Sequence, residues 1–485
     1  MLLGLDLGTG SVKALLIEAS GTVGGESAAS YPVRSPHPGW AESDPEDWWD
    51  ACARAIRTAV GGHSASVVAL GLSGQMHGVV LSDAAGVPSR PAVLWADTRS
   101  AGLLSRYRAL DAGLSRRLAN PPAAGIAGPS LLWLHDNEPG TYRAARWALQ
   151  PKDWLRLRLT GEAFSEPSDA SATLLYDLEA DGWSGPVIEA LDLRANLFPP
   201  LVASGEDAGT LGREVAGRLG LPAGLPVAAG AGDTAAALLG SGLLEPGPVQ
   251  LTVGTGGQIR SPREYPTPDP SLRTHLYRAA HDHARGRYYS MAAVQNAGLA
   301  LEWVLEVLNV SWDQAYREAF SAPPGSGGVT FLPYLSGERT PHLDPSARGA
   351  WVGLGLTHGR AHLLRAAFEG VAFALREGLE ALQGTGVWVP ELRLAGGGTL
   401  RAPWRQLLAD VLGRPLRLLP PSVARNASVR GAALLAGIAS GIYASVEETL
   451  PLAPEVGESV LPRDGAPYEA AYARYKELYP RLRER

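Results

Sequence analysis

The sequence predicts an α/β protein of two halves laid out on one plan. Residues 2–21, LLGLDLGTGSVKALLIEASG, are two apolar runs around a tight Gly/Thr/Ser turn. Residues 249–261, VQLTVGTGGQIRS, repeat that design. Helical and strand-like stretches alternate between and after them, over a chain of 485 residues that is long for a single core.

The first half reads as a hairpin over 2–18, a third strand over 21–33, and then a helix over 43–62. Ser43 or Asp44 is the N-cap of that helix, Pro45 its first residue, and Glu46 falls in its first turn. SVVALGLSG (66–74) is a buried strand, and GVVLSDAAGV (78–87) gives another strand and turn. A hairpin meander, a helix and a returning strand make a mixed sheet. Pro and Gly near 240–250 mark a linker or hinge. Beyond it the spacing predicts helices over 291–308 and 359–382, a strand over 391–398, a helix over 403–413, and an amphipathic terminal helix over 468–485.

Composition excludes several function classes. A net charge of −6 offers no basic surface for nucleic acid. No run approaches the roughly 18 apolar residues of a membrane span, and the apolar start, broken by Asp6, does not read as a signal peptide. The one cysteine, Cys52, lies in a helical stretch, where it reads as packing; a single thiol fits a reducing cytoplasm. Of 43 basic residues only Lys13, Lys152 and Lys476 are lysines. No C-x-x-C, H-E-x-x-H or G-x-S-x-G pattern occurs, and HDH (281–283) is too short to favour a zinc site.

The motifs that remain each carry a plain reading beside a chemical one. Asp6 lies in a strand that should be buried, so either the turn is exposed or the carboxylate faces a site that holds cations. GTGS (8–11) is either a hairpin turn or a cradle of N–H and hydroxyl donors for an anion. Asp233, in GAGDTAAALLGSG, is either a helix N-cap or a general base. SGQMHG (73–78) places Gln75, Met76 and His77 at the carboxyl end of a strand, where α/β proteins bind ligands. FLPYLSGERTPH (331–342) reads equally as a capped turn in which Glu338 and Arg339 pair. AGGGTL (395–400) suits a flat ring lying against backbone, or a tight turn.

Taken together, GLDLGTGSVK, GWAESDPEDWW, GLSGQMHG, LQPKDWLRLRLTGE, GAGDTAAA, VGTGG, FLPYLSGERTPH and AGGGTLRAPWRQLLAD have the order of motifs of the sugar kinase, actin and heat-shock ATPase superfamily. Within it the chain resembles the FGGY family of carbohydrate kinases, over about residues 4–440, and most closely members that act on D-xylulose. The resemblance implies two actin-like (ribonuclease H-like) ATPase domains flanking a catalytic cleft. Residues 1–244 would bind sugar, 245–445 nucleotide, and 446–485 form a helical tail. It implies transfer of a phosphoryl group from ATP, with Mg²⁺, to the 5-hydroxyl of D-xylulose.

By the same resemblance Asp233 is the general base, and Gln75, Met76 and His77 bind the sugar together with Asp233. Asp6 holds the Mg²⁺–phosphate end, with Asp233 as the second metal-side acid. Gly8, Thr9, Gly10 and Ser11 form one phosphate hairpin, and Gly254, Thr255 and Gly256 form the other. Gly298, Gly397, Gly398 and Thr399 line the strip near adenosine. Lys152 reads instead as a structural ion pair, and RGAALLAG (430–437) as a connecting helix. Thr234 and the Gly256–Gly257 pair depart from the family pattern. The relatives suggest a cytoplasmic homodimer. Rivals are an FGGY kinase for ribulose, a deoxysugar or glycerol, and a non-catalytic ATP-driven clamp. Glycerol kinases carry an Arg–Glu pair where this chain has Met76–His77.

Overall fold

The computed structural model describes residues 1–281, 287–397 and 401–483. Its first sheet opens with the antiparallel meander β1 (Leu2–Leu7), β2 (Ser11–Ile17) and β3 (Val23–Ser30). Helix α1 (Pro45–Val60) follows, and β4 (Ala69–Gly74) returns parallel to β1. As the sequence predicts, α1 starts at Asp44, whose carboxylate accepts the Glu46 N–H at 3.0 Å. Its buried face carries Trp48, Trp49, Cys52 and Ile56 into the first core, so Cys52 is a packing residue.

After helix α2 (Pro151–Thr160), strands β5 (Asp207–Thr210), β6 (Pro226–Ala228) and β7 (Ala231–Gly232) close the sheet beyond β4. Helix α3 (Asp233–Gly240) leaves directly from β7.

The second sheet repeats the plan. β8 (Val249–Val253) and β9 (Gly257–Arg263) form an antiparallel hairpin, extended by β10 (His275–Arg278) and β11 (Tyr288–Val294). β12 (Leu392–Ala395) lies parallel to β8, as β4 does to β1. The order is β10-β11-β9-β8-β12-β13-β14, where β13 is Leu416–Leu418 and β14 is Ser459–Val460. The echo of LDLGTGS in LTVGTGG is therefore topological, because both are first hairpins of equivalent sheets.

One expectation is corrected. Residues 291–297 do not begin a helix; α4 spans Gly298–Val307, and Tyr288–Val294 is a strand buried along its whole length. Hydrogen-bonded on both edges and covered on both faces, that strand shows no alternation, so its apolar run has no period to tell it from a helix. Beyond α4 come α5 (Trp312–Ala319), α6 (Arg360–Gln383), α7 (Ala402–Leu412), α8 (Pro421–Ala439) and α9 (Ala466–Leu482). Tyr468, Tyr472 and Tyr475 of α9 are buried in the second core.

Helix α8 follows the second sheet in sequence but lies on the first. Small residues make this possible. A Cβ at Gly4 would overlap the Val429 carbonyl, and one at Gly71 the Ala432 carbonyl. Gly240 of α3 and Gly431 of α8 bring those helices together in the same way. A third core lies between the halves and joins Met76, Ala235 and Ala236 to Tyr289, Met291 and Ala293. Among the described residues no helix is long and apolar enough to cross a membrane.

Gly71→Ala should therefore overpack the α8 contact and lower stability by about 3 kcal/mol in urea denaturation. An unchanged midpoint would show that α8 can shift to accommodate a methyl group.

Candidate active site

Asp6 sits at the end of β1, in register with Lys13 of β2 and Ser73 of β4. It is buried, and the Ser73 hydroxyl donates to its Oδ1 at 2.9 Å. Lys13, whose contact was open from the sequence, donates Nζ to the Arg425 carbonyl at 2.6 Å. Burial and the charge of Asp233 push the Asp6 carboxyl up to about 6, against Ser73 and Lys13.

Asp233 is the first residue of α3, and Gly232 occupies the N-cap, so the aspartate is not spent as a cap. The Thr234 hydroxyl donates to its Oδ1 at 3.0 Å. Burial raises its carboxyl above the usual range, opposed chiefly by Arg260. The peptide before it is pinned, because the Gly232 N–H donates to Ser168 Oγ at 3.0 Å.

The loop after β4 carries Gln75, Met76 and His77. The Gln75 N–H donates to the Leu7 carbonyl at 2.8 Å, and both buried side-chain amide atoms lack a partner among the described residues. Met76 is buried in the core between the halves, where the Tyr289 hydroxyl meets its sulfur at 3.8 Å. His77 has a positive φ of 72°, and its Nδ1 lies 2.8 Å from the Ala172 carbonyl. A carbonyl only accepts, so Nδ1 bears the hydrogen and Nε2 is left as an acceptor. Burial lowers the imidazole to about 4, which keeps it neutral at physiological pH.

Beneath this loop Lys152 is fully buried, its Nζ 2.6 Å from Asp153, 3.2 Å from Glu166 and 3.4 Å from Asp169. Burial disfavours its charge, but the three acids outweigh that and hold it above the ordinary lysine range. This is the structural ion pair the sequence suggested, enlarged to a network that includes Arg156.

Each hairpin turn is closed by its own backbone. The Gly8 N–H donates to the Ser11 carbonyl at 3.0 Å, and the Gly254 N–H to the Gly256 carbonyl at 2.9 Å. The Tyr31 hydroxyl holds the Gly8 carbonyl, and the Gly10 carbonyl accepts the Tyr31 N–H at 3.1 Å. Trp95 Nε1 donates to Thr9 Oγ1 at 2.9 Å, which leaves the Thr9 hydroxyl hydrogen free to donate into the cleft.

The second hairpin abuts the start of α4. The Gly298 N–H donates to the Gly254 carbonyl at 2.9 Å, and the Leu299 N–H to the Thr255 carbonyl at 3.0 Å. Behind it lies a cavity of about 400 Å³ lined by Gly254, Thr255, Gly298 and Gly397, with Trp312 and Tyr316 as aromatic walls. Gly256 packs beside it against the Val294 carbonyl. Gly398 and Thr399 lie outside the described residues, as do Asp282 and His283 of the HDH stretch.

Sequence reasoning missed several groups that this geometry brings in. Trp312 and Tyr316 carried no motif. Arg260 is buried on β9 with Nε unpartnered, and it is the cation nearest Asp233 in effect. Strand alternation was the available signal, since Gln258 and Arg260 share one face while Ile259 faces the second core. The GERTPH loop is no surface turn. Glu338 is buried and accepts the Gln295 N–H at 2.6 Å and the Arg339 N–H at 2.8 Å. Among the described residues its carboxylate forms no side-chain ion pair with Arg339.

Residues 1–240 match the N-terminal domain of the FGGY family of carbohydrate kinases, and residues 249–440 match its C-terminal domain. The chain belongs to that family. It is 38% identical to a xylulose kinase of Escherichia coli, across 99% of this chain and 98% of the relative. A solved "xyloylose kinase" from Brucella ovis superposes with a TM-score of 0.92 at 36% identity, covering 100% of this chain and 99% of that one. A gluconate kinase from Lactobacillus acidophilus also superposes with a TM-score of 0.91, at 24% identity over 99% and 97% of the chains. That last likeness concerns the fold alone.

Asp6 and Asp233 raise the local negative charge, and among the described residues no cation is bonded to either carboxylate. Among the described residues no cluster of three or more ligating side chains could hold a metal by itself. Such a site suits Mg²⁺ that arrives with phosphate and water ligands, which needs only one or two carboxylates.

The raised Asp6 carboxyl gives a signed prediction. Its proton is held more tightly in the folded chain, so ionisation costs stability as pH rises through about 6. Asp6→Asn should raise the stability of the ligand-free protein at pH 8, on the order of 3 kcal/mol, and have little effect near pH 3, below the ordinary aspartate value of 3.8, where the folded and unfolded chains both largely carry the proton. Melting curves at the two pH values check this; equal shifts at both would remove the assignment.

Proposed function

We propose that this FGGY kinase transfers the γ-phosphoryl group of Mg·ATP to the 5-hydroxyl of D-xylulose, giving D-xylulose 5-phosphate and ADP. One observation carries the reading. A carboxylate freed from capping, Asp233, opens a helix between a sugar loop (Gln75, Met76, His77) and two glycine hairpins. The curated relatives named above supply the sugar. In the reaction Asp233 takes the proton of the 5-hydroxyl as that oxygen bonds to the γ-phosphorus, and the bond to the β–γ bridging oxygen breaks.

The two halves divide the work. Residues 1–244 hold the sugar, and residues 245–445 hold the nucleotide in the cavity walled by Trp312 and Tyr316. His77 presents Nε2 as an acceptor to a sugar hydroxyl, and the orphan amide of Gln75 completes its bonds there. Mg²⁺ bound with ATP spreads the charge of the phosphates, with Asp6 beside it. Enclosure between the halves keeps water from competing as acceptor. A cytoplasmic setting fits the single, buried Cys52.

ADP release measured over a panel of ketoses and polyols tests the reading, with D-xylulose expected to give the highest kcat/KM; a preferred polyol or aldonate would overturn it. Asp233→Asn should lower kcat by roughly 10²–10⁴-fold while calorimetry shows ATP binding retained. Trp312→Ala should raise the KM for ATP about tenfold and leave the KM for D-xylulose unchanged. A rise in the sugar KM instead would place the nucleotide elsewhere.

A further inference from the structure

The loop 336–340 is fixed with unusual redundancy. Besides the two bonds to Glu338, Asn296 Nδ2 donates to the Gly337 carbonyl at 2.6 Å and the Ser336 hydroxyl to Asn296 Oδ1 at 2.8 Å. The Thr340 N–H donates to the Ala293 carbonyl at 2.9 Å, and its hydroxyl accepts the Ala293 N–H at 3.1 Å. Apart from the Arg339 N–H, these anchors (Ala293, Gln295 and Asn296) lie on or just beyond β11, beside the second phosphate hairpin. They set the Arg339 backbone rigidly at the mouth of the second half.

The Arg339 side chain then crosses to the first half. Its guanidinium carbon lies 5.7 Å from the ring centre of Trp95, the residue that donates to Thr9. It forms no hydrogen bond or ion pair with any described residue. The groups around it are His77, His275, Tyr277 and Glu338. The Tyr277 ring stands 6.1 Å from His77 and 5.5 Å from His275, whose Nδ1 contacts the Tyr277 hydroxyl at 2.9 Å. Burial pushes the Glu338 carboxyl up to about 8, so this neighbour does not neutralise the arginine at pH 7. A half-buried guanidinium held without a counter-charge is costly unless a ligand accepts from it.

We propose that Arg339 is the specificity-determining donor that recognises the carbonyl end of a 2-ketose from the second half. The inference rests on the function proposed above. With the 5-hydroxyl at Asp233, the other end of the five-carbon chain reaches past His77. Asp233 and His77 Nε2 are acceptors there, and they suit hydroxyl groups. A carbonyl oxygen only accepts, and guanidinium only donates. A site built around such a donor discriminates against a ligand whose carbonyl has become an alcohol.

The test compares the wild type with Arg339→Met and Arg339→Lys, using D-xylulose with Mg·ATP and xylitol as a competing ligand. Arg339→Met is expected to raise the KM for D-xylulose, and its Kd without ATP, about 30-fold. The inhibition constant of xylitol should stay within about threefold, and the KM for ATP should not move. Arg339→Lys keeps the charge but loses the planar fork, so a smaller loss confined to D-xylulose is expected; it decides the matter if the methionine variant fails to fold. Equal losses on D-xylulose and xylitol, no loss on either, or a raised KM for ATP would overturn the assignment. A wild-type chain that turns over no 2-ketose would remove the proposed function and this inference together. Intact wild-type turnover with an unselective variant removes the inference alone.

Discussion

Two carboxylates, Asp6 and Asp233, are both buried and both held above the usual carboxylate range, and the charge of Asp233 makes Asp6 harder still to ionise. That repulsion is the constraint around which the rest is arranged. A buried acid persists only if hydrogen bonds or opposite charges answer it. Here the protein answers only in part: one hydroxyl from Ser73, one from Thr234, and two cations, Lys13 and Arg260, acting from a distance. The remainder is left for what enters the cleft. A site short of positive charge by design binds a cation-bearing nucleotide better than a bare anion.

The scaffold keeps those acids in place with a second, paired group of buried charges. Lys152 and Arg156 are locked among Asp153, Glu166 and Asp169 beneath the loop that carries Gln75, Met76 and His77. Ser168, hydrogen-bonded to Glu166, holds the peptide before Asp233, and Ala172 orients His77. One short segment, 166–172, therefore positions both Asp233 and His77. Removing one member of such a cluster leaves a buried charge without its partner. The cleft carboxylates Asp6 and Asp233 have no bonded protein cation among the described residues, whereas the supporting acids share Lys152 and Arg156.

Much of this plan was legible in the sequence because its signals are local. The Asp44–Pro45 helix start, the twin GTG hairpins and the strand ending in SGQMHG need only near neighbours to form. Asp233 kept two readings because a helix start is equally a cap and a site, and only Gly232 at the cap position separates them. Other features were hidden for physical reasons. The strand Tyr288–Val294 is covered on both faces, so no alternation marks it. The contact of Arg339 with Trp95 forms only where the second half meets the first, and a contact so distant in sequence leaves no spacing to read. The aromatic walls of the second-half cavity, Trp312 and Tyr316, lie one helical turn apart on α5, a spacing any amphipathic helix also shows.

The return of α8 has a bearing on how the chain is made. Its residues Val429, Ala433 and Leu434 cover Leu2, Ile17 and Ala69 of the first sheet. During synthesis the first sheet is complete in sequence long before that cover leaves the ribosome. An apolar face of the first half must wait through the making of nearly the whole second half. The glycines that admit α8 so closely also leave that face with few side chains of its own. The first half is thus an incomplete folding unit, and the last third of the chain acts as its delayed lid.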